Sequence, residues 1–250
     1  MAKVTILGSG YAIPDENHEN THLVLHGENG AILIDCAGTP IPRLRKAGVH
    51  FEKLTDVILT HFHPDHTYGF PILLMGMWLL GRRTPLRVHG LDHCMSRAED
   101  QMRFYDWDEW PNFFPVAFHC LPDQEDVLVL DDAEFRITAS PGKHFVPTIG
   151  VRIEVKATGY VMTYSSDTEP CRAIVNLARD ADLLIHEAAG GRFGHTSAIQ
   201  SGSVASEAGA KKLGLIHYRL VDADDLVEDA QTTFDGPIFL AEDFMEIELK

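Results

Sequence analysis

Along most of the chain, short β-branched and apolar runs are punctuated by turn residues and by stretches with helical spacing. Val4–Leu7, Leu23–His26, Ala31–Ile34 and Val57–Leu59 read as strands, with Pro40–Ala47 a short helix among them. Helical spacing follows over Gly69–Leu80 and Asp92–Met102. Strands resume at Leu86–His89, Val116–Leu121, Val127–Leu130, Phe135–Ala139, Ile149–Val155 and Tyr160–Tyr164. The last third alternates: helix Glu169–Ala178, strand Leu183–His186, helix Ser197–Leu213, strand Leu215–His217, helix Asp224–Phe234, then closing strands Ile238–Leu240 and Met245–Leu249. Strands then helix, repeated, predict two sheets packed face to face with helices outside. No Pro/Gly/Ser linker divides the chain, so residues 1–250 are expected to form one domain, and no internal repeat is evident.

Composition narrows the class. At 250 residues, 45% hydrophobic and 23% charged, without low-complexity tracts, the chain can bury a core and is neither disordered nor fibrous. The formal charge of −16 repels polyanions at long range, which disfavours a folded nucleic acid as partner. Arg43, Arg45 and Lys46, then Arg82 and Arg83, then Lys211 and Lys212 form short basic clusters, none of them a stripe. Cys36, Cys94, Cys120 and Cys171 show no paired spacing and read as buried free thiols of a reducing compartment. The N-terminal residues read as a first strand rather than a secretory signal. The most apolar run, Phe70–Leu80, is interrupted by Pro71 and Gly76 and is too short to span a bilayer. A cytoplasmic protein without membrane contact is the expectation.

The chemistry concentrates after the strand that ends at Leu59. Thr60-His61-Phe62-His63-Pro64-Asp65-His66 puts three imidazoles and a carboxylate at a strand end, where a sharp backbone turn lets all four face one cavity, as a metal centre needs. His-x-His-x-Asp-His in this setting resembles the signature of the metallo-β-lactamase fold, a four-layer αββα sandwich with metals at one edge of its two sheets. Further segments extend the resemblance. Ser140-Pro-Gly-Lys-His144-Phe-Val-Pro147-Thr-Ile-Gly150 looks like the third metal-site histidine of the ribonuclease Z-like branch. Ser165-Ser-Asp167-Thr168 is similar to the segment of the bridging aspartate, and Leu215-Ile-His217-Tyr218 to that of the last ligand histidine. His186-Glu187-Ala188-Ala189 resembles the branch's His-Glu-Ala-Thr loop, with alanine in place of threonine. His195-Thr196-Ser197 resembles its His-Ser-Thr loop, with the hydroxyl residues exchanged.

The resemblance implies two divalent metal ions: His61, His63 and His144 on one, Asp65, His66 and His217 on the other, with Asp167 and a water between them. Nitrogen-rich sites completed by oxygen suit Zn²⁺ and also accommodate Mn²⁺ or Fe²⁺. His63 stands where oxygen-reducing di-iron relatives usually carry glutamate, which favours hydrolysis. Two such metals supply a bridging hydroxide as nucleophile and neutralise charge on the substrate oxygen, and Asp65 could orient that hydroxide. His195, outside the seven ligands, could donate to a phosphoryl oxygen or protonate the leaving group, with Glu187 fixing its tautomer. The plainer alternatives are a helix cap for His195 and a surface carboxylate for Glu187.

Gly8-Ser9-Gly10 reads as a tight turn, and His18, His22, His26, His50, His89, His93 and His119 as structural or surface residues. Phe104, Tyr105, Trp107, Trp110, Phe113, Phe114 and Phe118 are dense enough to pack over a core, close a dimer or wall a substrate pocket, with the helix Phe70–Leu80 as their expected neighbour. The leading expectation is a dinuclear metallohydrolase acting on small phosphodiesters, with a homodimer as the expected assembly. The alternatives are a lactonase or other carboxylic-ester hydrolase on the same centre, a true tRNA 3′-processing endonuclease, or a metal-binding protein without turnover. Bacterial members of the branch that process tRNA carry a long flexible arm between the third ligand histidine and the bridging aspartate, and here only 22 residues separate His144 from Asp167, already filled by two predicted strands.

Overall fold

The computed structural model describes residues 2–223 and 225–250. In chain order the strands are β1 Lys3–Gly8, β2 His22–His26, β3 Ala31–Ile34, β4 Leu54–Ile58, β5 Leu86–Leu91, β6 Val116–Leu121, β7 Val127–Asp131, β8 Phe135–Pro141, β9 Ile149–Val155, β10 Tyr160–Tyr164, β11 Leu183–Glu187, β12 Leu213–Ile216, β13 Ile238–Leu240 and β14 Glu246–Glu248. The helices are α1 Pro40–Lys46, α2 Pro64–Thr67, α3 Phe70–Leu79, α4 Asp92–Arg103, α5 Arg172–Leu177, α6 Ala198–Ala208 and α7 Leu226–Gln231.

Among the described residues the strands form two seven-stranded sheets, ordered β14-β1-β2-β3-β4-β5-β6 and β13-β12-β11-β10-β9-β8-β7. Each is mixed. Strands β3 to β6 run parallel beside the antiparallel β1–β2–β3, and β10 to β13 run parallel beside the antiparallel β7–β8–β9–β10. The period of two decides which side chain goes where. Leu23, Leu25, Ile32 and Ile34 face the core between the sheets together with Ile137, Val151, Ile153 and Ile185. Their neighbours Val24, Ala31 and Leu33 face outward onto α1, α3 and α4, where Leu44, Phe70, Leu73 and Met77 cover them. On the far side Leu184, Leu213 and Leu215 meet Ile174, Val204, Ala205 and Ala230 of α5, α6 and α7. The result is the four-layer αββα sandwich expected from the sequence.

Boundaries differ where turn chemistry overrides pattern. The helix expected to run from Ser197 to Leu213 stops at Ala208, because Gly209 turns into the left-handed conformation (φ 70°) and leaves Leu213 free to open β12. The helix expected from Glu169 begins only at Arg172: Pro170 excludes helical backbone at the residue before it, and Glu169 instead bridges to Lys143. The expected helix Gly69–Leu80 is α3, preceded by the separate short helix α2. Within the span expected as Asp224–Phe234, α7 covers Leu226–Gln231, and Asp224 lies outside the described residues. Only Cys36 and Cys94 are buried; Cys120 is exposed and Cys171 half-buried, although all four are free thiols. No helix of the described residues is long and apolar enough to cross a membrane.

Candidate metal centre

Parallel strands of both sheets end at the same edge, and an open edge at the carboxyl ends of strands is where such architectures present functional side chains. The loop after β4 carries His61, His63, Asp65 and His66; the turn after β10 carries Asp167; β12 delivers His217, and the loop after β8 delivers His144. Two of these strand ends turn through left-handed backbone, Ser166 after β10 (φ 54°) and His217 after β12 (φ 52°), and so does Asp35 after the neighbouring β3 (φ 61°). That conformation costs a non-glycine residue roughly 1–2 kcal/mol. Here it swings the chain abruptly out of the sheet, so that side chains at the strand end face the gap between the sheets.

Two donor groups result. His61, His63, His144 and Asp167 offer ligand atoms that all lie within 4.8 Å of one another, and so do Asp65, His66, Asp167 and His217. Asp167 belongs to both. Its Oδ1 lies 3.4 Å from His66 Nε2, and its Oδ2 lies 3.2 Å from His217 Nε2 and 3.8 Å from His61 Nε2. Nitrogen and oxygen ligands about 2 Å from one tetrahedral ion are themselves about 3.3 Å apart, so these spacings suit a shared cation.

Unsatisfied atoms point the same way. His61 Nε2, His66 Nε2 and Asp167 Oδ1 are buried without a hydrogen-bond partner, a costly state for protein groups alone. His22 and His186 also hide one bare nitrogen each, with pKa values pushed down by burial to about 3 and about 4. What separates the first set from these neutral core histidines is convergence on a common point. The far nitrogens are tied down, which fixes which atom faces the gap. His66 Nδ1 donates to Asp35 Oδ2 at 2.8 Å, and His144 Nδ1 donates to the Gly194 carbonyl at 2.7 Å. His61 Nδ1 lies 3.1 Å from Thr60 Oγ1, itself donating to Asp35.

The field in the gap is negative. Burial opposes charge on His66, but Asp167 and Asp35 outweigh it and hold the imidazolium well above the usual histidine range. For Asp167 burial would raise the carboxyl, yet His217 and His66 bring it well below the usual carboxylate value. Burial pushes His61, His63 and His144 below the ordinary histidine value, so these three present neutral imidazoles. Ionised carboxylate and neutral imidazole are the forms that bind metal, already presented by Asp167, His61, His63 and His144; His66 would give up its Nε2 proton to an incoming ion, since Nδ1 stays bonded to Asp35. The residues present therefore suit metal binding.

His195 lies beside this cluster, its ring 4.9 Å from that of His144 and 5.7 Å from that of His217. It caps no helix: Ser197 takes that place on α6 in a capping box with Gln200. Nor is Glu187 a surface carboxylate. It is fully buried, accepts from His195 Nδ1 at 2.9 Å, and accepts also from the backbone N–H groups of Thr168 and Ala189. Burial raises Glu187 above the usual glutamate value, with the His195 bond opposing. Burial opposes charge on His195 too, but the bond to Glu187 and its charge win and raise the imidazole.

Asp35 escaped the sequence reading. Fully buried, it accepts from Thr60 N, Thr60 Oγ1 and His66 Nδ1, so it anchors the loop that carries the four-residue motif. The available signal was an acidic residue directly after the apolar run Ala31–Ile34. From Trp107 to Phe118 the aromatic segment packs with α3 in the outer layer, as expected, whereas Phe104 and Tyr105, expected to pack with it, are exposed. Trp110 stacks on Trp78 at 4.9 Å, Phe118 meets Phe70 edge-on at 6.2 Å, and Phe114 is buried in the outer layer.

The chain is similar to known proteins along its whole length. A ribonuclease Z from Methanothermobacter thermautotrophicus is 28% identical, the match covering 100% of this chain and 97% of the relative. A ribonuclease BN from Cronobacter sakazakii is 27% identical, over 98% of this chain and 99% of the relative. Among solved structures, the metallo-β-lactamase fold protein YhfI from Bacillus subtilis superposes with a TM-score of 0.82 at 24% identity, covering 98% of each chain. The short form of human tRNase Z gives 0.83 at 24%, covering 99% of each. Both share the fold of this chain, a metallo-β-lactamase-fold hydrolase that depends on metal and is similar to ribonuclease Z. The model of one family, described as Anti-Pycsar protein Apyc1, matches residues 2–235, nearly the whole molecule, and this chain belongs to that family.

Proposed function

We propose that the chain is a dinuclear phosphodiesterase acting on small phosphodiesters, cyclic or short nucleotides rather than folded RNA. The observation that carries this reading is the pair of four-residue donor groups sharing Asp167. His61, His63 and His144 would hold one ion, Asp65, His66 and His217 the other, with Asp167 between them. Nitrogen-rich donors favour Zn²⁺, with Mn²⁺ or Fe²⁺ as substitutes. Bound there, divalent ions acidify a water and neutralise charge on a phosphoryl oxygen. The chain's own residues supply the rest. Asp65 would orient the nucleophile. His195, a quarter exposed and held through Nδ1 by Glu187, keeps Nε2 for a phosphoryl or leaving oxygen.

Three observations speak against tRNA. The 22 residues between His144 and Asp167 are occupied by β9 and β10, paired through Tyr160↔Val155 to Tyr164↔Val151, which leaves no length for an arm. The match to the Methanothermobacter relative spans 302 aligned positions against 250 residues here, so at least 52 positions of that alignment have no counterpart in this chain. The charge of −16, about −12 with two divalent ions, provides little counterion-release affinity. Competition between precursor tRNA, nucleoside cyclic phosphates and lactones tests the reading. Small phosphodiesters should give the highest kcat/KM. Faster tRNA 3′ cleavage would overturn it, and faster lactone opening would select the carboxylic-ester alternative.

We infer a homodimer from the outer face of α3, where Ile72, Met75 and Leu79 are exposed at helical spacing, with Tyr68 one turn earlier. A monomeric mass by sedimentation at micromolar concentration would end that inference. The free thiols suit a reducing compartment such as the cytoplasm.

A further inference from the structure

The wall of the candidate site is made by two loops, and each exposes a phenyl ring. Phe145 follows His144 directly and is 64% exposed; Phe193 lies two residues before His195 and is 77% exposed. Neither belongs to the Phe104–Phe118 segment, from which the sequence offered a pocket wall.

The two loops are stitched together. Gly194 N donates to Glu169 Oε1 at 3.2 Å, and Glu169 N donates to the Lys143 carbonyl at 2.7 Å. Lys143 Nζ pairs with the same Glu169 carboxylate, and His144 Nδ1 donates to the Gly194 carbonyl. A Cβ on Gly194 would come within 2.8 Å of His144 Nδ1 and 3.3 Å of the Phe145 ring. The Phe145 ring therefore packs on the backbone that joins Phe193 to His195.

The backbone here is held in an unusual state. Gly190 (φ 110°), Phe193 (φ 52°) and Gly194 (φ 77°) all lie in the left-handed half of conformational space. Glycine does this freely, whereas a bulky side chain rarely does. A phenylalanine kept there, with its ring mostly in solvent, gains little from burial. Strain of this kind persists where the surrounding structure imposes it, and it concentrates at ligand clamps.

We propose that Phe145 and Phe193 form an aromatic clamp that stacks the planar organic group of the substrate, a nucleobase, while the phosphodiester sits over the donor groups. This rests on the phosphodiesterase reading above and adds the substrate's aromatic part. Stacking tolerates any base because every base has a π-face, so the clamp selects for the presence of a base rather than for its identity.

The test compares a nucleoside 3′,5′-cyclic phosphate with the analogue that carries a methoxy group in place of the base, which keeps the same ring, phosphate and leaving group. Two variants are paired with it: Phe145→Ala, and Phe193→Asn, which removes the ring yet suits the left-handed backbone. The wild-type protein should prefer the nucleotide, and each variant should raise its KM by about tenfold to a hundredfold. Turnover of the base-free analogue should stay unchanged, as should metal content and melting temperature. Phe193→Tyr should retain the preference. Equal losses on both substrates, or a wild type without preference, would overturn the clamp while leaving the phosphodiesterase reading intact. If the wild type hydrolyses neither compound, that reading fails and the clamp with it.

Discussion

The floor of the candidate metal centre and the loop that walls it both use left-handed backbone, and they use it to different ends. At the floor, Asp35, Ser166 and His217 turn inward and are buried, and the strained segments are repaid by hydrogen bonds. Thr60 Oγ1 binds Asp35, Ser166 Oγ donates to Thr60 Oγ1 at 2.8 Å, and His217 N donates to the Ser9 carbonyl at 2.9 Å. In the wall the backbone is also held, through Gly194, but the Phe193 side chain turns outward into solvent. One region is built to fix the positions of donor atoms, and the other to present a surface. Preorganised donors and an accessible recognition element are different demands, and a single sheet edge meets both by placing them on different strand ends.

The most severe way to break the floor is Asp167→Ala. Because Asp167 completes both donor groups, the variant is expected to lose both ions rather than one, and hydrolysis with them; stripping the wild-type protein with a chelator should reproduce the loss and lower its melting temperature. Retention of two metals and full activity would show that another residue makes the bridge. The metal-free protein offers a second reading. Asp167 is held well below the ordinary carboxylate value of 3.8, so the unfolded chain takes up a proton there before the folded one does. Its stabilising contribution is thus fully present above pH 3.8 or so and fades as pH falls through the folded value. The difference in melting temperature between wild type and variant should be evident at neutral pH and shrink in acid.

The same division explains what the sequence could disclose. His61 to His66 are legible because metal ligands must be specific residue types at specific offsets, and they come from one loop. His144, Asp167 and His217 follow once strand ends are located, since each sits where an apolar run stops. Asp35 was missed because its role is to position His66, and one carboxylate after a strand carries no spacing signal. Phe145 and Phe193 were missed for another reason. Their importance lies in exposure, which pattern reading assigns to polar residues, and single aromatics carry a weaker signal than the dense group at Phe104–Phe118. There the rings meet α3 and cover the outer face of the first sheet. Helix ends at Gly209 and Pro170 were misplaced because capping geometry and backbone sterics, not hydrophobic period, set them.

His195 stands between the two regions, and its replacement sharpens the contrast with a smaller effect than loss of the bridge. Its Nδ1 is committed to Glu187, a carboxylate satisfied by two backbone N–H groups as well, so the imidazole cannot rotate toward the donor groups without breaking that bond. Its ring nitrogen lies 3.9 Å from Asp167 Oδ2, outside hydrogen-bond reach, and it belongs to neither donor group. His195→Ala should therefore leave metal content unchanged while lowering turnover by about 10²–10⁴, the range for losing a general acid, and it should lower the melting temperature because buried Glu187 loses its side-chain partner. Leaving-group dependence separates the two remaining roles. An alkoxide leaving group needs a proton and a nitrophenolate does not, so the loss should be large for a cyclic nucleotide and small for an activated aryl ester if His195 delivers the proton. Equal losses on both would mean that the imidazolium acts on the phosphoryl oxygen alone. A fall in metal content would move His195 from the wall to the floor.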